Sequence, residues 1–138
     1  MSAESVGDWR LHHVAHVVRD LDVAIEELAP LWGLELEIRE HLPPQGVEAA
    51  MLRRDDVRVE LIAPTDPESG VARFLDSRGP GFHHVAYSVE DIGRALAELR
   101  DKDAELIDDQ PRPGLGGHLV AFVHPRSGGG VLTELVQD

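Results

Sequence analysis

Apolar and polar positions along this chain change period several times, and each change marks an element. Residues 10–18 are dense in Val and His and run up to Asp20, a helix N-cap residue type, so a strand followed by a helix start is predicted. Leu21, Ala24, Ile25 and Leu28 recur at helical spacing, and Pro30 with Gly33 is expected to close that helix. From Leu34 to His41, Leu, Leu and Ile alternate with Glu and Arg, the pattern of a half-buried strand. Pro43-Pro44-Gln45-Gly46 reads as a turn, and residues 47–53 and 57–63 as two strands joined at Asp55-Asp56. A polar link over 64–70 leads to a short helix over 71–77 with Phe74 and Leu75 inward. Gly79-Pro80-Gly81 then separates two halves. In the second half the pattern predicts a strand over 82–89, a helix over 91–102 and a strand over 104–108. A glycine-rich loop from Pro111 to Gly117, a strand over 119–124, a turn over 125–130 and a strand over 131–136 follow.

The second half restates the first. From His12 to Leu28, and again 71 residues later from His83 to Leu99, 17 positions align and 9 are identical. Chance would supply about one. Two copies of so long a unit are too few for a solenoid and indicate a duplicated half-domain. The fold class expected is therefore α+β, with two tandem βαβββ modules (about 10–78 and 80–138) forming a cupped, mostly antiparallel sheet. A flexible tail, 1–9, is expected before a single domain, 10–138.

Composition narrows the chemistry. A chain of 138 residues is long enough to bury a core without staples, and with no cysteine it has neither disulfides nor a thiolate metal site. The net charge of −13 argues against a nucleic-acid partner, which would demand a basic face. Met1 to Trp9 carries Glu4 and Asp8 and does not read as a signal peptide, and no apolar run approaches the ~18 residues of a membrane span. A cytoplasmic protein with no membrane partner is expected.

Polar side chains inside predicted strands need a reason to be there. In the first half these are His13 and Glu60, and in the second His84 and Glu134. The histidines repeat at an offset of 71 and the glutamates at 74, the three extra residues falling in loops. One His plus Glu pair is thus mapped onto another, and two imidazoles with two carboxylates make a divalent-metal ligand set. Four ligands on an octahedral ion leave two positions for a chelating substrate. His12, His16, His83 and His41 are read as structural, while His118 and His124 flank the glycine-rich loop.

Several motifs carry a family resemblance: Pro44-Gln45-Gly46-Val47, Glu60-Leu61-Ile62-Ala63-Pro64-Thr65 and Gly81-Phe82-His83-His84-Val85-Ala86. More specific are Pro111-Arg112-Pro113-Gly114-Leu115-Gly116-Gly117 and the segment from His124-Pro125-Arg126-Ser127 through Gly128-Gly129-Gly130-Val131 to Leu132-Thr133-Glu134-Leu135. From about Leu11 to Gln137 the chain resembles the vicinal oxygen chelate (glyoxalase-type) superfamily, and within it the methylmalonyl-CoA epimerases. The resemblance implies that His13, Glu60, His84 and Glu134 hold one divalent ion, with Co, Mn, Ni, Zn and Mg all open. Some epimerases carry Gln at the position of Glu60. It also implies an acyl-CoA substrate inverted at C2 through a metal-stabilised enolate, a homodimer, and Glu134 as an acid/base as well as a ligand.

Departures from the pattern matter. Where such epimerases place a base, three residues after the Gly of Gln-Gly-Val, this chain has Ala49. The nearby acid, Glu48, is sent to the opposite face by strand alternation unless a bulge intervenes. Glu27-Leu28 stands where relatives carry Phe-Tyr, and Arg126 where Lys follows His-Pro. Gly116 and Gly117, with His118 and Arg126, are the candidate substrate-binding residues. Two alternatives are a glyoxalase I-type isomerase, or another metal enzyme of the superfamily, and a metal-free drug-sequestering protein. A metal content assay separates the last, and acyl-CoA dependence separates the first.

Overall fold

The computed structural model describes residues 8–137, in which the chain forms two compact units. One is His13–His83; the other combines the residues up to His12 with His84 onward. Most of the expected tail, residues 1–7, lies outside the described residues, but Trp9 packs against Tyr87 with ring centroids 6.0 Å apart.

The first module runs β1 (Arg10–Val17), α1 (Leu21–Trp32), β2 (Glu35–Leu42), β3 (Val47–Arg54) and β4 (Val57–Pro64), with α2 (Gly70–Arg78) in the link. Its strands are ordered β2-β3-β4-β1, with β1 parallel to β4 and the other pairs antiparallel. Alternation divides the sheet into two faces. Ala50, Leu52, Leu61 and Ala63 lie under Leu21 and Ala24 of α1 and make the core. The opposite face carries His13, Ala15 and Val17 of β1, Glu60 and Ile62 of β4, and Ala49 and Met51 of β3.

The second module runs β5 (Gly81–Ser88), α3 (Ile92–Asp101), β6 (Arg112–Pro113), β7 (Leu119–Val123) and β8 (Thr133–Gln137), ordered β5-β8-β7-β6. Here β5 is parallel to β8, and β7 and β6 follow antiparallel. Ala121, Val123 and Leu135 pack under Ile92, Ala95 and Leu96 of α3. The paired βαβββ order and the mostly antiparallel pairing match the expectation.

Two local expectations are corrected. Helix α1 passes through Pro30 and ends at Trp32, where Gly33, at φ 66°, donates its N–H to the Ala29 carbonyl. A proline so near the end forfeits only one helical hydrogen bond. The strand expected over 104–108 is reduced to a single bridge between Leu106 and Val123. Backbone bonds persist from the Ile107 N–H to the Phe122 carbonyl and from the His124 N–H to the Glu105 carbonyl, both 2.9 Å, and side chains add to them: Asp108 accepts the Phe122 N–H at 2.8 Å, and Ser127 Oγ accepts the Glu105 N–H at 2.8 Å.

Both copied helices start on the same device. Asp20 accepts from the Val23 N–H at 3.1 Å and Asp91 from the Arg94 N–H at 3.0 Å. Replacing either by Ala is expected to remove about 1 kcal/mol, read as a lower urea midpoint at unchanged slope. Among the described residues no helix is long and apolar enough to cross a membrane.

Candidate metal centre

In each module the same local register brings a histidine and a glutamate together. On β1·β4, Ala15 pairs with Glu60, and on β5·β8, Ala86 pairs with Glu134. The histidine stands two residues before that alanine in both cases, so it lies on the same face and diagonal to the acid. Both alanines are fully buried, which leaves room for the longer side chains to meet above them. His13 Nε2 is 3.2 Å from Glu60 Oε1, and His84 Nε2 is 3.3 Å from Glu134 Oε1. The matching distances reproduce the repeat at the level of single atoms. Exposures of His13, Glu60, His84 and Glu134 are 4%, 7%, 2% and 7%, so each carboxylate is held out of bulk water.

Burial of that kind has a chemical consequence. A buried carboxylate requires compensating charge, which a neutral imidazole does not supply. A divalent cation supplies it, and N/O donors of this kind suit the first-row metals and Mg. The donor set fits a metal.

Around the second pair, Phe122 lies directly across from Glu134 and meets the His84 ring edge-on at 5.2 Å. The Arg112 guanidinium sits over the Phe122 ring, 5.6 Å from its centroid, with its Nε 3.4 Å from Asp108. Phe122 fixes the plane of the imidazole, a role the sequence pattern did not single out. Its position across from Glu134 emerges only from the register.

Glu48 is elsewhere. The β3·β4 register runs without a shift, so Glu48 pairs with Ala63 and shares the α1 face with Ala50 and Leu52. The bulge that would have turned it toward Glu60 is absent from this pairing. Instead Arg39 reaches both Asp22 of α1, at 2.5 Å, and Glu48, at 3.6 Å. The hydrogen bond to Asp22, helped by the Glu48 charge, holds the Arg39 guanidinium pKa above its ordinary value. Glu48 belongs to a surface ion network, with Ala49, 1% exposed, on the face of Glu60.

The candidate substrate-binding residues divide in two. Gly116 and Gly117 form a tight exposed turn at φ 73° and 81°, next to the exposed His118. Only glycine takes these left-handed angles at little cost. Arg126 is turned outward with its side chain 76% exposed, 3.2 Å from Glu105, which His124 also approaches at 3.6 Å. His41 is exposed, 3.3 Å from Thr65 Oγ1.

Residues 12–122 match the glyoxalase/bleomycin resistance protein/dioxygenase superfamily. The chain belongs to this superfamily. It is 34% identical to the ethylmalonyl-CoA/methylmalonyl-CoA epimerase of Cereibacter sphaeroides over 130 residues, covering 93% of this chain and 97% of that one. Among solved structures it is similar to the methylmalonyl-CoA epimerase of Mycobacterium tuberculosis, with 36% identity, TM-score 0.89, and coverage of 99% of this chain and 91% of that one. A methylmalonyl-CoA epimerase in complex with methylmalonyl-CoA and NH4+ matches at 34% identity and TM-score 0.91, covering 97% and 96%. The fold of the superfamily is thus the fold of this chain, as the duplicated modules indicated.

Proposed function

We propose that this chain is a methylmalonyl-CoA epimerase, inverting C2 of methylmalonyl-CoA or a close acyl-CoA. The observation that carries the reading is the duplicated, buried His plus Glu pair on a scaffold that matches such enzymes over nearly its whole length. His13, Glu60, His84 and Glu134 would hold one divalent ion. When bound, the ion supplies Lewis acidity that stabilises negative charge developing on the substrate's oxygens.

The residues of the chain do the rest. The C2 proton of a malonyl-type thioester is too weakly acidic for a carboxylate acting alone in water. A buried carboxylate held next to C2 removes it more readily, because proximity replaces a bimolecular encounter. We assign that role to Glu134, whose Oε1 lies 3.3 Å from His84 Nε2. Phe122 and the packed Ala86, Val120 and Val136 keep water away from this face. The amides of Gly116 and Gly117 and the His118 side chain orient the substrate carboxylate. Arg126, turned outward, meets the charged coenzyme end.

The reading includes a homodimer in the cytoplasm. Leu31, Trp32 and Leu36, exposed by 67%, 60% and 48%, give the first module an apolar surface suited to a second copy.

A single resolved epimer of methylmalonyl-CoA, incubated with metal-loaded protein, is expected to convert to an equal mixture. Chelator is expected to stop the conversion. Turnover of a glutathione hemithioacetal in its place would instead support the glyoxalase I-type reading. The Glu48→Gln variant is expected to retain kcat within about twofold, because it changes a surface ion pair on the α1 face. A hundredfold loss would return Glu48 to the site.

A further inference from the structure

Among the arginines of the second module, Arg112 stands on the face of the sheet that carries Glu134. It pairs with Val120, and Val120 with Val136, while Phe122 pairs with Glu134. Side chains directly across a ladder share a face, and so do residues two apart on one strand, which puts all five on one side. Arg94 and Arg100 belong to α3, which packs on the other side, and Arg126 is turned outward.

The pose of Arg112 is set within this module. Its side chain leans from Val120 to Phe122, with the guanidinium carbon 5.6 Å from the ring centroid. Asp108 Oδ1 lies 3.4 Å from Arg112 Nε, while Asp108 Oδ2 accepts the Phe122 N–H at 2.8 Å. One carboxylate thus ties the guanidinium to the strand that faces Glu134. These contacts use Nε and the flat face of the guanidinium, and the edge formed by its two Nη groups is left for a ligand. The side chain is 38% exposed, so a ligand can reach it.

The fold does not dictate a cation here. In the first module Met51 faces Glu60 as Phe122 faces Glu134, and two residues before Met51 stands Ala49, whose partner on β2 is Glu40. The register position of Arg112 therefore carries an acid in the other copy, so packing of the sheet does not require the charge.

We propose that Arg112 binds the carboxylate of the substrate, an assignment that rests on the epimerase reading and names the acyl class that the site selects. A guanidinium above Phe122 is next to the strand position of Glu134, the group assigned to C2, since facing residues of a strand pair are about 5 Å apart. The malonyl-type carboxylate is joined directly to C2, whereas the coenzyme phosphates lie at the far end of the pantetheine arm. A carboxylate fits the Nη edge through two parallel hydrogen bonds, and the Phe122 ring beneath keeps water from the flat face of the guanidinium. Acyl-CoAs with a carboxylate on C2 are selected over simple acyl-CoAs.

The test compares methylmalonyl-CoA with propionyl-CoA, which lacks only that carboxylate, on the metal-loaded full chain and its Arg112→Met and Arg112→Lys variants. Arg112→Met is expected to raise Kd and KM for methylmalonyl-CoA by about 10- to 100-fold and to change Kd for propionyl-CoA by no more than about twofold. Arg112→Lys is expected to recover part of the loss, because it keeps the charge without the fork. Melting temperature and metal affinity are expected to be unchanged, since the Met side chain still covers Phe122. Equal weakening of both thioesters overturns the assignment by placing Arg112 on the coenzyme, and unchanged binding of both overturns it as well. A fall in metal affinity alongside the loss also overturns it, by making Arg112 a prop for Phe122 and His84. In each of these cases wild-type turnover leaves the epimerase reading standing. A wild-type protein that leaves the epimers unconverted overturns that reading, and this assignment with it.

Discussion

Glu134→Gln is expected to lower kcat by roughly 1,000-fold, whereas Glu60→Gln lowers it by about tenfold or less. The two glutamates are equivalent in register, burial and distance to their histidines, so a purely structural view expects equal losses. Chemistry separates them. An amide oxygen can still ligate a metal, so the Glu60 variant loses only part of its affinity. An amide cannot take up a proton at neutral pH, so the Glu134 variant keeps a ligand and loses the base. Single-turnover rates at saturating metal read this directly. Equal losses in the two variants would contradict the assignment of the base to Glu134 rather than Glu60.

Metal removal is the second large effect. The expected stoichiometry is one ion per chain, although the chain has two His plus Glu pairs. A ligand that binds only the folded protein at 100 times its Kd contributes about 2.7 kcal/mol, so chelation is expected to lower the melting temperature by roughly 10 °C. The His84→Ala variant is expected to bind no stoichiometric metal, even though His13 and Glu60 are untouched. Two ions per chain, or half-occupancy surviving in that variant, would mean that each pair is a separate site.

Much of this was legible before any coordinates. The repeat aligned His13 with His84 and Asp20 with Asp91, and the modules place each pair in the same local setting. Duplication is informative because it cancels the accidents of a single strand. Legibility failed where pairing is irregular, as in the segment read as a strand, whose few backbone bonds are supplemented by Asp108 and Ser127. It failed again at Glu40, whose parity with Ile38 and Leu42 marks it as part of the half-buried row. The register shift between Leu36 and Ile38 hides this, since it puts one sequence parity on two faces, Leu36 across from Leu52 and Ile38 across from Met51. The opposite orientation of Glu48 was readable from alternation alone, because β3 and β4 pair without a bulge.

The most direct test of the central claim is proton NMR of one resolved epimer of methylmalonyl-CoA in D2O with metal-loaded protein. The account expects the C2 proton signal to disappear as the other epimer forms, both at a rate that chelator abolishes. A protein that binds its metal, binds the thioester and leaves the C2 proton in place would contradict it.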